Sequence, residues 1–162
     1  MRIYLMRHGL AQVRGATCPA DPKRQLTKAG TRRTRQAARG LACLKITPSL
    51  VLTSPYLRAH QTAEIAIAEL GLKPRLLAAT KALTPGADPG RLLAELRRRN
   101  PKEALCVGHS PHLDNTLSRM LGLTGDVMSL KKAGVACVDL PRRGTGILIW
   151  LATPKLLRRL AG

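Results

Sequence analysis

Aromatic side chains are nearly missing from this chain: it has no phenylalanine, two tyrosines and one tryptophan in 162 residues. It therefore lacks the stacking platforms on which single-strand nucleic-acid binders rely. Acidic residues are also scarce. Nine Asp and Glu stand against 28 Lys and Arg, a formal net charge of +19. That imbalance points to an anionic partner: a phosphorylated substrate, an acidic protein or nucleic acid. The basic residues form no single tail. They fall at Arg32-Arg33, Arg35, Arg39, Arg97-Arg98-Arg99, Lys131-Lys132, Arg142-Arg143 and Arg158-Arg159. They read as a solvated surface that helps steer an anionic substrate, and the missing aromatics argue against specific nucleic-acid recognition.

Long apolar runs are absent too, so no membrane span is expected. Arg2 to Met6 reads as a strand rather than as the charged-then-apolar run of a signal peptide, which gives a cytoplasmic expectation. The four cysteines, Cys18, Cys43, Cys106 and Cys137, contain no C-x-x-C pair. Cys43, Cys106 and Cys137 sit among apolar residues and are expected to be reduced core residues. The length suits one domain over residues 1–162 with a core of its own.

The elements alternate. Residues 2–7, 50–53, 74–77 and 104–108 read as short buried strands. A helix capped by Thr27 runs to about Leu44, with Ala37, Leu41 and Leu44 on its packing face. Others are expected from Pro55 to Leu70, ended by Gly71, from Gly90 to Arg99 and from Pro111 to Leu121. A hairpin pairs residues 134–140 with 145–151, and a basic helix over 154–160 closes the chain. The pattern predicts an α/β three-layer sandwich. Its central sheet is mostly parallel, flanked by helices, with the late antiparallel hairpin at one edge.

Polar residues cluster where strands end. Ile3-Tyr4-Leu5-Met6 runs directly into Arg7-His8-Gly9. Val51-Leu52-Thr53 runs into Ser54-Pro55-Tyr56-Leu57-Arg58-Ala59. Leu105-Cys106-Val107 runs into Gly108-His109-Ser110. The carboxyl edge of an open α/β sheet is where ligands bind. An imidazole can attack phosphorus, and a guanidinium fork grips phosphoryl oxygens bidentately. We therefore read His8 as a nucleophile whose other ring nitrogen donates to a carbonyl or carboxylate. Arg7 and Arg58 are the phosphoryl clamp, and His109 is a donor to developing charge. Gly9, Ser54 and Ser110 are candidate substrate-binding residues at the turns, with His112 near the pocket mouth. His60 reads as a surface residue. A zinc site is not expected, because His8 and His109 come with arginines rather than with further ligands. No cofactor is expected.

These segments, with Leu26-Thr27-Lys28-Ala29-Gly30 and Leu83-Thr84-Pro85, resemble the histidine phosphatase (phosphoglycerate mutase-like) superfamily. The likeness is greatest to its small SixA-type phosphohistidine phosphatases, and it covers residues 2 to about 115. It implies a phosphohistidine intermediate on His8 and a phosphorylated protein as substrate. One position departs from the pattern. Many members place a Glu or Asp, which protonates the leaving group, where this chain has Ala82. An ester alcohol needs that proton, whereas the imidazole of phosphohistidine is a better leaving group and can take its proton from solvent. Asp88 is a possible substitute acid, or a capping residue before Pro89. Two alternatives follow: a small-molecule phosphomonoesterase using Asp88, and a non-catalytic binder of phosphate or nucleic acid.

Overall fold

Alternation along the first strand sets the layers. The computed structural model describes residues 1–13, 20–124 and 128–162. Strand β1 (Arg2–Arg7) is the third-from-edge strand of a six-stranded sheet in the order β3-β2-β4-β1-β5-β6. The others are β2 (Leu50–Thr53), β3 (Leu77–Ala79), β4 (Glu103–Gly108), β5 (Val135–Asp139) and β6 (Ile147–Ala152). Tyr4 and Met6 face one core with Ala37, Leu41, Ala63 and Leu157. Ile3 and Leu5 face the other with Leu92, Leu96, Leu113 and Leu117. Helices α1 (Lys28–Cys43), α2 (Leu57–Glu69) and α5 (Pro154–Leu160) thus cover one face of the sheet. Helices α3 (Pro89–Arg99) and α4 (His112–Met120) cover the other. This is the expected sandwich. Strands β1 to β4 run parallel, and β5 and β6 add an antiparallel hairpin at one edge.

With no phenylalanine to fill space, the first core closes by small residues. Gly40 of α1 lies so close to α5 that a Cβ there would meet the Leu157 carbonyl oxygen. Gly40→Ala gains up to ~1 kcal/mol of helix propensity. It also forces backbone apart, an overpacking cost of about 1–3 kcal/mol. The clash is expected to win, and the urea midpoint to fall. A raised midpoint would mean that α5 does not sit this close to α1.

Several boundaries differ from expectation. Residues 74–77 are not one strand. Pro74–Leu76 is a 3-10 turn and the strand follows at Leu77, because Pro74 fixes φ and carries no N–H for a ladder. Helix α2 starts at Leu57 rather than Pro55, since the Ser54 hydroxyl takes the Tyr56 N–H and holds that turn outside the helix. Leu44 is off the packing face, 40% exposed, because α1 ends at Cys43 and the chain then turns at Lys45 (φ 53°). That same ending leaves Cys43 exposed, while Cys106 and Cys137 are buried. Cys18, Gly15 and Pro19 lie outside the described residues.

Candidate active site

Register brings three strand ends together. Arg7 of β1 pairs with Gly108 of β4, and Thr53 of β2 pairs with Val107. The chains continue in step: the His8 N–H donates to the Gly108 carbonyl at 2.9 Å and the Ser54 N–H to the Val107 carbonyl at 3.0 Å. His8, Ser54 and His109 therefore emerge side by side, and α2 begins at Leu57, three residues past Ser54, with Arg58 in its first turn. The Gly9 N–H donates to Thr62 Oγ1 at 3.1 Å, and that hydroxyl donates to the Arg58 carbonyl at 2.7 Å. The turn after β1 is thus pinned to the base of α2. Gly9 must be glycine, because a Cβ would strike Thr34 Oγ1.

The His8 and His109 ring centroids lie 5.0 Å apart. Arg58 Nε donates to His8 Nε2 at 3.3 Å, and His8 Nδ1 lies 2.7 Å from the Gly9 carbonyl oxygen. A carbonyl only accepts, so Nδ1 carries the ring proton and Nε2 presents its lone pair toward Arg58. His109 Nε2 lies 2.9 Å from Ser54 Oγ, which also accepts the Tyr56 N–H at 3.3 Å. When the Ser54 hydroxyl donates to Nε2, the His109 proton sits on Nδ1. That Nδ1 is buried and has no partner among the described residues, as are Arg7 Nε and Ser110 Oγ. Arg7, His109 and Ser110 all line one cleft of about 330 Å³ together with His8, Arg58, Arg24, Lys132 and Pro85. Three buried, unpartnered polar groups at one cleft fit the binding of an oxyanion.

Burial is the largest cause depressing the His8 pKa to about 4, and the Arg58, Arg7 and Lys132 charges add to it. Burial also holds His109 down, to about 2. Both rings are neutral near pH 7. The unfolded chain, with histidine near 6.5, binds more protons than the folded one as pH falls from 6.5 toward 4. Stability contributed by the neutral rings is complete above pH 6.5 and is lost on acidification through that window. Ring-carbon NMR is expected to show His8 in its neutral form at pH 5. A midpoint near 6.5 would place the ring in water rather than in this cleft.

Arg7, His8, Arg58, His109 and Ser110 line one cleft, and other expected residues stand elsewhere. His112 is not at the cleft mouth. It opens α4 with its ring turned inward, 2% exposed, with both ring nitrogens unpartnered among the described residues and its pKa lowered by burial. Asp88 does not line the cleft. Its exposed side chain pairs with Arg119 at 3.0 Å instead, and it makes no side-chain cap on α3. His60 is part-exposed, 3.6 Å from Glu64. Ala82, the expected counterpart of the family's acid, is buried within the short 3-10 turn Lys81–Leu83. No Asp or Glu lines the cleft among the described residues.

Four contributors escaped the motif reading. Tyr56 lays its ring edge-on to His109 at 5.2 Å and under the Arg58 guanidinium at 5.2 Å. Arg24 and Lys132 add positive charge to the cleft, and Asp21 receives both Arg24 and Arg58. Only Tyr56 stood inside a motif. The other three come from loops, where neither periodicity nor strand ends give a signal.

A cleft at the carboxyl ends of neighbouring parallel strands, holding two histidines and two arginines, is the kind of site that takes a phosphoryl group. Residues 3–119 match the model of the histidine phosphatase superfamily (branch 1), and the chain belongs to that family. It is 40% identical over 140 residues to an uncharacterised protein of Picosynechococcus sp., covering 83% of this chain and 82% of that one. It is 30% identical over 158 residues to phosphohistidine phosphatase SixA of Escherichia coli, covering 95% and 94%. The structure of the protein histidine phosphatase SixA complexed with tungstate matches with a TM-score of 0.86 at 29% identity, over 96% of this chain and 98% of that one. A phosphoserine phosphatase of Entamoeba histolytica bound to phosphoserine shares the fold, with a TM-score of 0.73 at 15% identity over 96% and 98%.

Proposed function

We propose that this protein hydrolyses phosphohistidine on a phosphorylated protein through a phosphohistidine intermediate on His8. The observation that carries the reading is the His8 ring. Its Nδ1 is bonded to the Gly9 carbonyl, leaving Nε2 unprotonated beside Arg58 inside the cleft. Arg7 and Arg58 hold the phosphoryl oxygens of the incoming group. As they do, the Arg58 Nε–H is drawn from the His8 lone pair to phosphate. His8 Nε2 then attacks phosphorus in line, and the N–P bond to the substrate imidazole breaks as that ring takes a proton from solvent and leaves neutral. His109 Nδ1–H and the Ser110 hydroxyl donate to the oxygens as charge builds. Water cleaves the second N–P bond, freeing orthophosphate and returning His8 to its neutral form.

With no Asp or Glu lining it among the described residues, the cleft supports a phosphoramidate substrate over an ester. Asp88, bound to Arg119 away from the cleft, lends no support to an esterase that depends on it. The SixA name of the Escherichia coli relative agrees with a phosphohistidine substrate. The test is orthophosphate release from a phosphohistidine peptide and from a phosphoserine peptide of the same sequence. Release from the first and little from the second is expected. Failure to turn over the phosphohistidine peptide overturns the reading.

A further inference from the structure

Asp21 reaches the arginine clamp from outside the motif residues, on a short 3-10 turn, Asp21–Lys23, in which nothing is buried. Its two ends hold Arg58 separately. The Asp21 backbone carbonyl accepts Arg58 Nη1 at 2.7 Å, and Oδ2 accepts Arg58 Nη2 at 3.2 Å. With Nε on His8, three points fix the guanidinium plane, and the Arg58 side chain is 3% exposed. The other carboxylate oxygen belongs to Arg24. Oδ1 accepts Arg24 Nε at 2.9 Å and lies 2.8 Å from Nη2, while Arg24 Nη1 donates to the Gln12 carbonyl at 2.6 Å. Arg24 thereby sets the rotation of the carboxylate, so that Oδ2 points at Arg58.

We propose that Asp21 is a positioning residue for Arg58, held in its working rotamer by Arg24. This rests on the phosphatase reading above. The arrangement solves a specific conflict. A long arginine beside a nucleophile must be oriented, yet a single carboxylate would cancel the charge that phosphate needs. Here one carboxylate is shared by two guanidiniums, so the cluster stays net positive while the plane of Arg58 is fixed. The side chain of Asp21 is 26% exposed on a turn with no core residues, so it packs no core while bonding both arginines.

Asp21→Asn keeps the size and the backbone carbonyl but loses the charge. Misplacing a clamp by about 1 Å costs on the order of 100-fold in rate. We expect kcat on phosphohistidine peptide to fall about 10- to 100-fold, with KM changed less. Asp21→Glu should recover part of the rate. The discriminating step repeats Asp21→Asn in an Arg58→Ala background, where it should add nothing, because contacts that act through one residue are not additive. The same cycle read by calorimetry with inorganic phosphate needs no turnover: Asp21→Asn should weaken binding about tenfold when Arg58 is present and not when it is absent. Wild-type rate and phosphate affinity in Asp21→Asn, or an equal loss in both backgrounds, overturns the proposal. Phosphate binding that follows the cycle without any turnover by the wild type overturns the phosphatase reading and leaves Asp21 in place.

Discussion

His8→Ala is expected to lower turnover of a phosphohistidine peptide by at least ~10,000-fold and to abolish the phosphoenzyme, because the attacking atom itself is gone. The size of the effect separates His8 from its neighbours. Removing one oxyanion donor, as in His109→Ala, costs about 100- to 1,000-fold, since Arg7 and Arg58 still hold the phosphoryl group. Only the nucleophile carries the covalent route. The ring is 7% exposed and its truncation leaves a small hollow, but its polar partners are the Gly9 carbonyl and Arg58, both fixed by other contacts. The fold is therefore expected to survive, which a far-ultraviolet spectrum checks. Rapid quench with a phosphorus-labelled substrate reads the intermediate directly. Wild type should hold label that is released by acid and resists base, the stability of a phosphoramidate. A His8→Ala protein that still labels, or that retains a tenth of the activity, would place the nucleophile elsewhere.

The parts of the site legible in the sequence are those that follow apolar runs without a gap. Arg7, His8 and His109 leave β1 and β4 at paired register positions, so the strand that made them visible is also what brings them together. Arg58 was legible because a strand, a turn and a helix start sit within nine residues. Asp21, Arg24 and Lys132 were not. Each arrives on a loop, and long-range bonds place the first two, such as Arg24 to the Gln12 carbonyl and Leu26 N–H to Gln61. His112 shows the converse error. Three residues past His109 it was expected at the mouth, but it opens α4 on the inward side, and the turn of the helix carries its ring into the molecule. At the level of the fold, the unbroken apolar run Ile3 to Met6 foretold a buried strand, and β1 is buried along that run. The end of α1 was misjudged because Leu44 continues the apolar spacing one residue beyond the last helical hydrogen bond that could use it.

Phosphohistidine peptide is expected to outpace phosphoserine peptide by at least ~100-fold in kcat/KM, because a general acid is worth about 100- to 10,000-fold and no Asp or Glu among the described residues lines the cleft to protonate an alkoxide. Two groups need to be excluded as the proton source. His109 is held neutral by burial, its pKa near 2, and so carries no readily lost proton at neutral pH. Asp21 has both carboxylate oxygens on guanidiniums. A graded test follows from the leaving groups. p-Nitrophenyl phosphate, whose phenolate leaves as a weak base, should fall between the two peptides, and rates across a phenyl phosphate series should decline steeply as the leaving group becomes more basic. A resident acid would flatten that decline. Asp88→Asn should leave every member of the series unchanged, since Asp88 is bonded to Arg119 and lies off the cleft. Equal rates on the two peptides, or a loss confined to esters in Asp88→Asn, would show that a carboxyl group does reach the leaving oxygen and that the substrate is a phosphate ester.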